Sequence, residues 1–183
     1  FVIGSNSFSG STFAAYALEQ GAEVIGCSRS PEPVDSLLPY KWLGADLKSR
    51  FQFRQMDLNH EGEEMLSAIG DFKPDYVINF AAQSMVAESW ENPDHWYQTN
   101  VVANVKLHEG LRKFDSLKKY VHITTPEVYG STEGKIDETA PYNPSTPYAA
   151  SRAACDMHLQ TFIRQHKFPV AFTRAASVYG PGQ

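Results

Sequence analysis

Cysteine is nearly absent: Cys27 and Cys155 are the only 2 in 183 residues. They lie far apart and in no metal-ligand spacing, which argues against a disulfide framework and against a zinc module. Both are expected to be reduced and buried, in a cytoplasmic protein, and no metal is expected. No apolar run approaches the ~20 residues that a membrane-crossing helix needs, and no secretory signal pattern is visible. No block of Lys and Arg forms a stripe for nucleic acid, and the net charge is -5. No internal repeat or low-complexity segment occurs. What is present is the composition of one globular domain, 42% hydrophobic and 20% charged, with enough apolar residues to bury a core. Both ends look cut. Phe1-Val2-Ile3 reads as the tail of a strand and Gly180-Pro181-Gly182-Gln183 as mid-loop, so a domain over 1–183, truncated at both ends, is expected.

Along the chain, short apolar runs alternate with helix-like periodicity. The apolar run 1–3 is followed by Gly4-Ser5-Asn6-Ser7-Phe8-Ser9-Gly10. A helix pattern then begins at Ser11, with Phe13, Ala14, Ala17 and Leu18 at helical spacing. Strand, glycine-rich turn and helix together make a phosphate cradle when the backbone can approach a pyrophosphate at the helix N-terminus. Gly21 ends that helix, and Ala22–Cys27 reads as the second strand. An Asp or Glu at the end of that strand holds the ribose 2′-OH of NAD; here Ser28 and Arg29 stand there instead. No carboxylate repels a 2′-phosphate and Arg29 can pair with one, which favours NADP over NAD.

Residues 30–50 read as a loop-like insert, with Trp42 and Leu43 expected to fold back onto the core. Phe51–Met56 is the third strand, ending at Asp57-Leu58; Asp57 could alternatively cap the next helix. Asp75–Phe80 is a fourth strand apolar enough to be buried on both faces. It ends in Ala81-Ala82-Gln83-Ser84, small residues that let a ligand lie close at the edge where open α/β sheets bind ligands. A long helix after Pro93 carries Asn100. Tyr120–Thr124 is the fifth strand, a helix runs from about Tyr148 to His166, and Phe168–Thr173 is the sixth strand. Alternation of this kind predicts a doubly wound parallel α/β sheet.

The centre of the chain is residues 122–152. Thr124-Thr125-Pro126-Glu127 closes the fifth strand, and Tyr148 opens a helix with Arg152 one turn later. A cation beside a phenol stabilises the phenolate. Moving a Tyr from ~10 toward ~7 takes about 4 kcal/mol.

This pattern resembles the Ser/Thr–Tyr–Lys centre of the extended short-chain dehydrogenase/reductases. The closest likeness is to the NAD(P)-dependent branch acting on sugar nucleotides, which contains epimerases, dehydratases and decarboxylases. The likeness covers nearly the whole chain. It includes a GxxGxxG turn with Ser7 in place of the middle glycine, and an NxAAxxxV…N segment from Asn79 to Asn100. It also includes YxxxK with Arg152 for Lys, and R-x-x-N-x-Y-G-P with Ser177 for Asn. The resemblance implies a Rossmann-like fold, with a C-terminal substrate domain missing from this chain. It implies cofactor contacts from Gly4, Ser7, Phe8, Gly10, Ser28, Arg29, Asp57, Leu58, Ala81, Ala82, Gln83, Asn100, Tyr148 and Arg152. Ser84, Thr125 and Ser177 are the implied substrate contacts. The implied partners are a nucleotide sugar and a second copy of the chain, in a homodimer built on the helices around Asn100 and Tyr148. Neither nucleic acid nor membrane is an implied partner.

By the same resemblance Tyr148 is the base for a sugar hydroxyl and Thr125 its hydroxyl partner, with Thr124 the alternative. Arg152 stands where Lys binds the nicotinamide ribose. Glu127 selects among reactions. Dehydratases and decarboxylases keep a Glu here to act at C5, and simple 4-epimerases usually lack it. Where dehydratases acting on dTDP-glucose have Thr-Asp-Glu, this chain has Thr125-Pro126-Glu127, and Pro126 cannot supply a proton. The expected activity is that of a sugar-nucleotide 4,6-dehydratase using NADP or NAD. A 4-epimerase or decarboxylase is the alternative, and a non-catalytic dinucleotide-binding module is the reading from another class.

Overall fold

The computed structural model describes residues 1–176 and 178–180. Six parallel strands form one sheet in the order β3-β2-β1-β4-β5-β6. They are β1 (Val2–Ile3), β2 (Val24–Ser28), β3 (Phe51–Gln55), β4 (Tyr76–Asn79), β5 (Lys119–Ile123) and β6 (Val170–Thr173). Register places Val2 beside both Gly26 and Ile78, and Ile78 beside Val121. The expected doubly wound parallel sheet is therefore the fold, and it is Rossmann-like.

The strand order reverses between β1 and β4. One half of the chain winds outward through β2 and β3, the other through β5 and β6. At that switch point the two connecting loops diverge and leave a crevice at the carboxyl edge.

Alternate side chains of each strand feed two cores, as the two-residue period of a strand requires. Val2 and Val24 face α1 (Phe8–Glu19), whose Ala14 and Leu18 are buried there together with Leu38 and Tyr40 of the 30–50 insert. Phe1, Ile3 and Ile25 face the opposite layer, with Met65, Leu107, Leu111 and Leu159. That layer contains α3 (Gly62–Phe72), α5 (Asn104–Leu111) and α6 (Pro147–His166). Leu18 is fully buried, a contribution of about 2 kcal/mol.

The insert at 30–50 is more ordered than a loop, with two 3₁₀ turns (Asp35–Leu37 and Pro39–Lys41) and the one-turn α2 (Ala45–Lys48). Leu43 packs partly onto the core as expected, whereas Trp42 is 53% exposed. Tyr40 takes the buried place instead. Its ring stacks on Phe51 at 4.1 Å and its hydroxyl donates to Glu32 at 2.9 Å. The Trp42 indole N–H is satisfied at the surface by the Asp35 carbonyl.

The long helix after Pro93 is in three pieces: α4 (Pro93–Tyr97), a π segment (Gln98–Ala103) and α5. Among the described residues no helix is long and apolar enough to cross a membrane.

Candidate active site at the switch point

The crevice is a cleft of about 300 Å³ between the β1–α1 turn and the end of β4. Its floor depends on two glycines. Gly4 has φ +84°, and a Cβ there would lie 2.7 Å from the Ala81 nitrogen. A Cβ on Gly10 would lie 2.2 Å from the Gly4 carbonyl oxygen. Both contacts are too close for any side chain, so the turn, the helix and β4 meet only because these residues are glycine.

Helix α1 starts at Phe8, three residues earlier than its periodicity indicates. Ser7 is the reason. Its hydroxyl accepts from the Gly10 N–H at 3.1 Å and donates to the Gly4 carbonyl at 2.7 Å. This N-cap satisfies a first-turn donor and closes the turn on itself. With φ −70° the position has no need of glycine, which accounts for the departure from GxxGxxG. The hydroxyl proton is already used within the turn. The helix N-terminus, with its unpaired N–H groups and positive dipole end, begins at the cleft and favours a phosphate there.

The cleft gathers Gly4, Ser7, Ser28, Arg29 and Asp57 with Leu58, Ala81, Ala82 and Gln83. Nine of the residues expected to hold a dinucleotide thus share one wall system. Phe8, Gly10, Asn100, Tyr148 and Arg152 do not line it. Arg29 is exposed at the rim. The Ser28 hydroxyl accepts from the Asn6 N–H at 3.0 Å, and the Asn6 amide donates to the carbonyls of Ser30 and Pro31. Asn6 went unnoticed in the sequence. It ties the first turn to the end of β2, and its place inside the glycine-rich stretch was the available signal.

Asp57 does not cap α3; Glu61 precedes that helix. Asp57 instead builds a local turn, accepting from the Asn59 N–H at 2.8 Å while Glu61 accepts from the Asp57 N–H at 2.7 Å. Asn59 donates to the Thr99 hydroxyl at 3.0 Å, joining the cleft wall to the π segment.

Asn100 is fully buried. Its amide nitrogen donates to the Gln83 carbonyl at 3.0 Å and its oxygen accepts from the Gln83 N–H at 2.9 Å. The same amide donates to the Ser151 hydroxyl at 2.9 Å, which donates to the Tyr148 carbonyl at 2.7 Å. The Tyr148 N–H donates to Ser89 at 3.2 Å. The backbone of Tyr148 is thereby tied to the loop after β4. Ser84, in that loop, is exposed and outside the cleft lining.

At the end of β5, Thr125 caps the 3₁₀ turn Pro126–Tyr129, accepting from the Glu127 N–H at 3.3 Å. Val128 and Tyr129 pack on Ala153 of α6. Glu127 is exposed, and Tyr148, the first-turn residue of α6, is half-buried. Thr124 differs from Thr125, because its hydroxyl donates to the buried Asp156 carboxylate at 3.1 Å. Arg152 is only 3% exposed. One of its terminal nitrogens donates to the Ile123 carbonyl, and its Nε and other terminal nitrogen have no partner among the described residues.

Behind the strand end lies a polar core. His122 is held neutral at a pKa of about 4, by burial first and with Arg152 adding to the effect against Asp156. Burial pushes the Cys155 thiol up to about 12. His108, His122 and Cys155 bring potential ligand atoms within 4.8 Å of one another, a proximity invisible in their spacing. The Tyr120 hydroxyl bonds to both rings, at 3.0 Å and 3.4 Å. Ser177 lies outside the described residues.

A parallel sheet in this order, with a glycine-built cleft at its switch point, Thr125 at the end of β5 and Tyr148 in the first turn of α6, defines a dinucleotide-binding protein of the extended short-chain dehydrogenase/reductase type. The model of the NAD dependent epimerase/dehydratase family matches residues 1–183, and the chain belongs to that family.

Among its relatives, a Sinorhizobium fredii protein named as a probable dTDP-glucose 4,6-dehydratase is 33% identical over 198 aligned positions. The alignment covers 98% of this chain and 53% of that protein. The dTDP-glucose 4,6-dehydratase of Streptomyces venezuelae, solved with NAD bound, superposes with a TM-score of 0.84 at 28% identity. It covers 100% of this chain and 56% of that one. The UDP-glucuronic acid 4-epimerase of Bacillus cereus, solved with UDP-glucuronic acid and NAD, gives a TM-score of 0.85 at 26% identity, covering 100% and 57%. The chain spans about half the length of these relatives.

Proposed function

We propose that this chain is the dinucleotide-binding domain of a sugar-nucleotide 4,6-dehydratase. The observation that carries this reading is Thr125-x-Glu127 on a 3₁₀ turn packed against α6, the helix that carries Tyr148 in its first turn and Arg152 one turn later. The dehydratase relatives support it, and Glu127 favours elimination over simple epimerisation.

The cleft residues fit a dinucleotide, because Gly4 and Gly10 leave a cradle that any Cβ would fill. Gly4, Ser7 and the start of α1 would hold the pyrophosphate, Asp57 and Leu58 the adenine side, and Ala81–Gln83 the nicotinamide half. Arg29 at the rim supports NADP over NAD. When bound, the nicotinamide would take a hydride from sugar C4 and give it back at C6, so that the cofactor is not consumed. Tyr148 then takes the proton of the C4 hydroxyl, and the Thr125 hydroxyl holds the same oxygen. Arg152, one helical turn after Tyr148 and with two nitrogens that lack a partner among the described residues, would hold the nicotinamide ribose. Glu127 removes the C5 proton, water or Glu127 protonates the C6 hydroxyl so that it leaves as water, and C5 regains a proton as C6 receives the hydride. The two buried free cysteines support a reducing, cytoplasmic setting, and the helices around Asn100 and Tyr148 are the proposed homodimer face.

The test is to offer the full-length protein dTDP-glucose, GDP-mannose, UDP-glucose and UDP-glucuronic acid. A 4-keto-6-deoxy product is expected; carbon dioxide release marks a decarboxylase, and a C4 epimer alone marks an epimerase. Arg152→Ala should lower hydride transfer by about 100-fold, and unchanged turnover would remove Arg152 from the site. A second reading, a binding module without catalysis, draws on the burial of Arg152 against Ile123. Bound dinucleotide without C5 proton exchange on any of these sugars decides for it.

A further inference from the structure

The proposed reaction leaves a buried polar chain unused. It starts at Asn79 on β4, whose amide nitrogen donates to the Tyr120 hydroxyl at 3.0 Å. Tyr120 lies 3.0 Å from His108 Nε2 and 3.4 Å from His122 Nδ1. His122 Nε2 faces Asp156 Oδ1 at 3.4 Å, outside hydrogen-bond geometry, and among the described residues neither atom has a hydrogen-bond partner. The ends fix the direction. An amide nitrogen only donates and a carboxylate only accepts. His122 therefore carries its proton on Nε2 and accepts the Tyr120 proton on Nδ1. His108 then donates from Nε2 to Tyr120, leaving its Nδ1 bare. Among the described residues His108 Nδ1 has no hydrogen-bond partner.

The chain ends on a carboxylate with a second set of contacts. Asp156 is fully buried on α6. Its Oδ2 accepts from Thr124 at 3.1 Å, Tyr142 at 3.2 Å and Arg174 at 3.0 Å. Thr124 directly precedes Thr125, Tyr142 lies in the loop leading to α6, and Arg174 follows β6. The Arg174 guanidinium also lies over the rings of Tyr129 and Tyr142, at 5.3 and 5.5 Å. One oxygen thus joins three segments that are distant in sequence to the helix that carries Tyr148.

We propose that Asp156 is a positioning residue for this site. Through Thr124 it seats the Thr125–Glu127 turn on α6, with the Tyr120–His122 pair packed behind the carboxylate. The proposal rests on the dehydratase reading. Thr125 and Glu127 come from β5 and Tyr148 from α6. No covalent connection shorter than the 130–147 loop fixes their separation, so contacts between β5 and α6 set it: the Thr124–Asp156 bond, the Arg152–Ile123 bond one residue earlier, and the packing of Val128 and Tyr129 on Ala153. A misplacement of about 1 Å at such a site costs up to about 100-fold in rate.

The experiment compares full-length wild type with Thr124→Val, Thr124→Ser and Asp156→Asn, using dTDP-glucose. Thr124→Val keeps shape and every proposed reacting group but removes the hydroxyl. It should slow C5 proton exchange with solvent deuterium by about 10- to 100-fold while KM stays within about twofold. Thr124→Ser should restore the rate. In Thr124→Val and Asp156→Asn, amide exchange over 124–130 should accelerate while that of 152–160 does not. Unchanged C5 exchange in Thr124→Val, or a loss that Thr124→Ser does not rescue, overturns the proposal. If wild type itself fails on dTDP-glucose but binds dinucleotide, the dehydratase reading fails on that sugar. The link is then judged on amide exchange, and unchanged protection of 124–130 overturns it.

Discussion

Asn100 and Ser151 stand 51 positions apart in the chain and meet side chain to side chain at 2.9 Å, both fully buried. Through this contact the loop after β4 and the first turn of α6 share one anchor. Asn100→Ala removes the contact and both bonds to Gln83. At about 1 kcal/mol for each bond, plus unsatisfied partners, a loss of about 3 kcal/mol is expected. Denaturant unfolding measures it, and dinucleotide affinity should fall with it because Gln83 lines the cleft. A loss below about 1 kcal/mol would mean that water replaces the amide at no cost.

Gly10→Ala tests the cradle. The added methyl would sit 2.2 Å from the Gly4 oxygen and 2.8 Å from the Ser7 hydroxyl, so the turn must open. A destabilisation of about 3 kcal/mol and loss of dinucleotide binding are expected. Thermal melts with and without NAD would report both. A variant that still gains melting temperature with NAD would show that the turn is dispensable.

Arg29 governs cofactor choice in this reading. Arg29→Ala should shift the ratio of NADP to NAD affinity toward NAD by about tenfold, about 1.4 kcal/mol. Fluorescence titration with each reduced cofactor gives the ratio. No change would leave Arg29 as a solvated loop cation.

Stability should also respond to acid through His122. Its folded pKa of about 4 lies below the usual 6.5, so between these values the unfolded chain binds the proton and the folded chain does not. Stability then falls as pH drops from 6.5 to 4, by roughly 3 kcal/mol from this residue. Burial beside His122 and His158 lowers the His108 pKa in the same direction. Unfolding free energies at pH 7, 5.5 and 4 would follow the trend, and His122→Gln should flatten part of it.

Much of the architecture was legible because it is local. Short apolar runs and helical patterns marked each strand and most helices, and the strand ends at Ser28, Asp57 and Ala81 marked one wall of the cleft. What escaped depends on contacts between distant residues. The capping hydroxyl of Ser7 moved the start of α1, since periodicity does not register an N-cap that precedes the apolar stripe. Trp42 and Tyr40 are two residues apart and equally suited to a core; what separates them is the Phe51 ring and the Glu32 carboxylate that Tyr40 meets. The bond from Thr124 to Asp156 spans 32 positions, and no spacing rule connects the two. Thr124 and Thr125 look interchangeable in sequence and differ in what the next layer offers them.

The π segment at 98–103 amounts to one residue too many for a regular helix. It is widened where Asn104 reaches back to the Thr99 carbonyl at 2.9 Å, while Asn104 itself accepts from Asn79 at 2.7 Å. Deleting one residue here would make a better helix by every local measure. It would also turn Asn100 by about 100° relative to Asn104, so that only one could keep its partner. The irregular turn is a phase adjuster: it lets one rod read two surfaces at once, the end of β4 and the flank of α6.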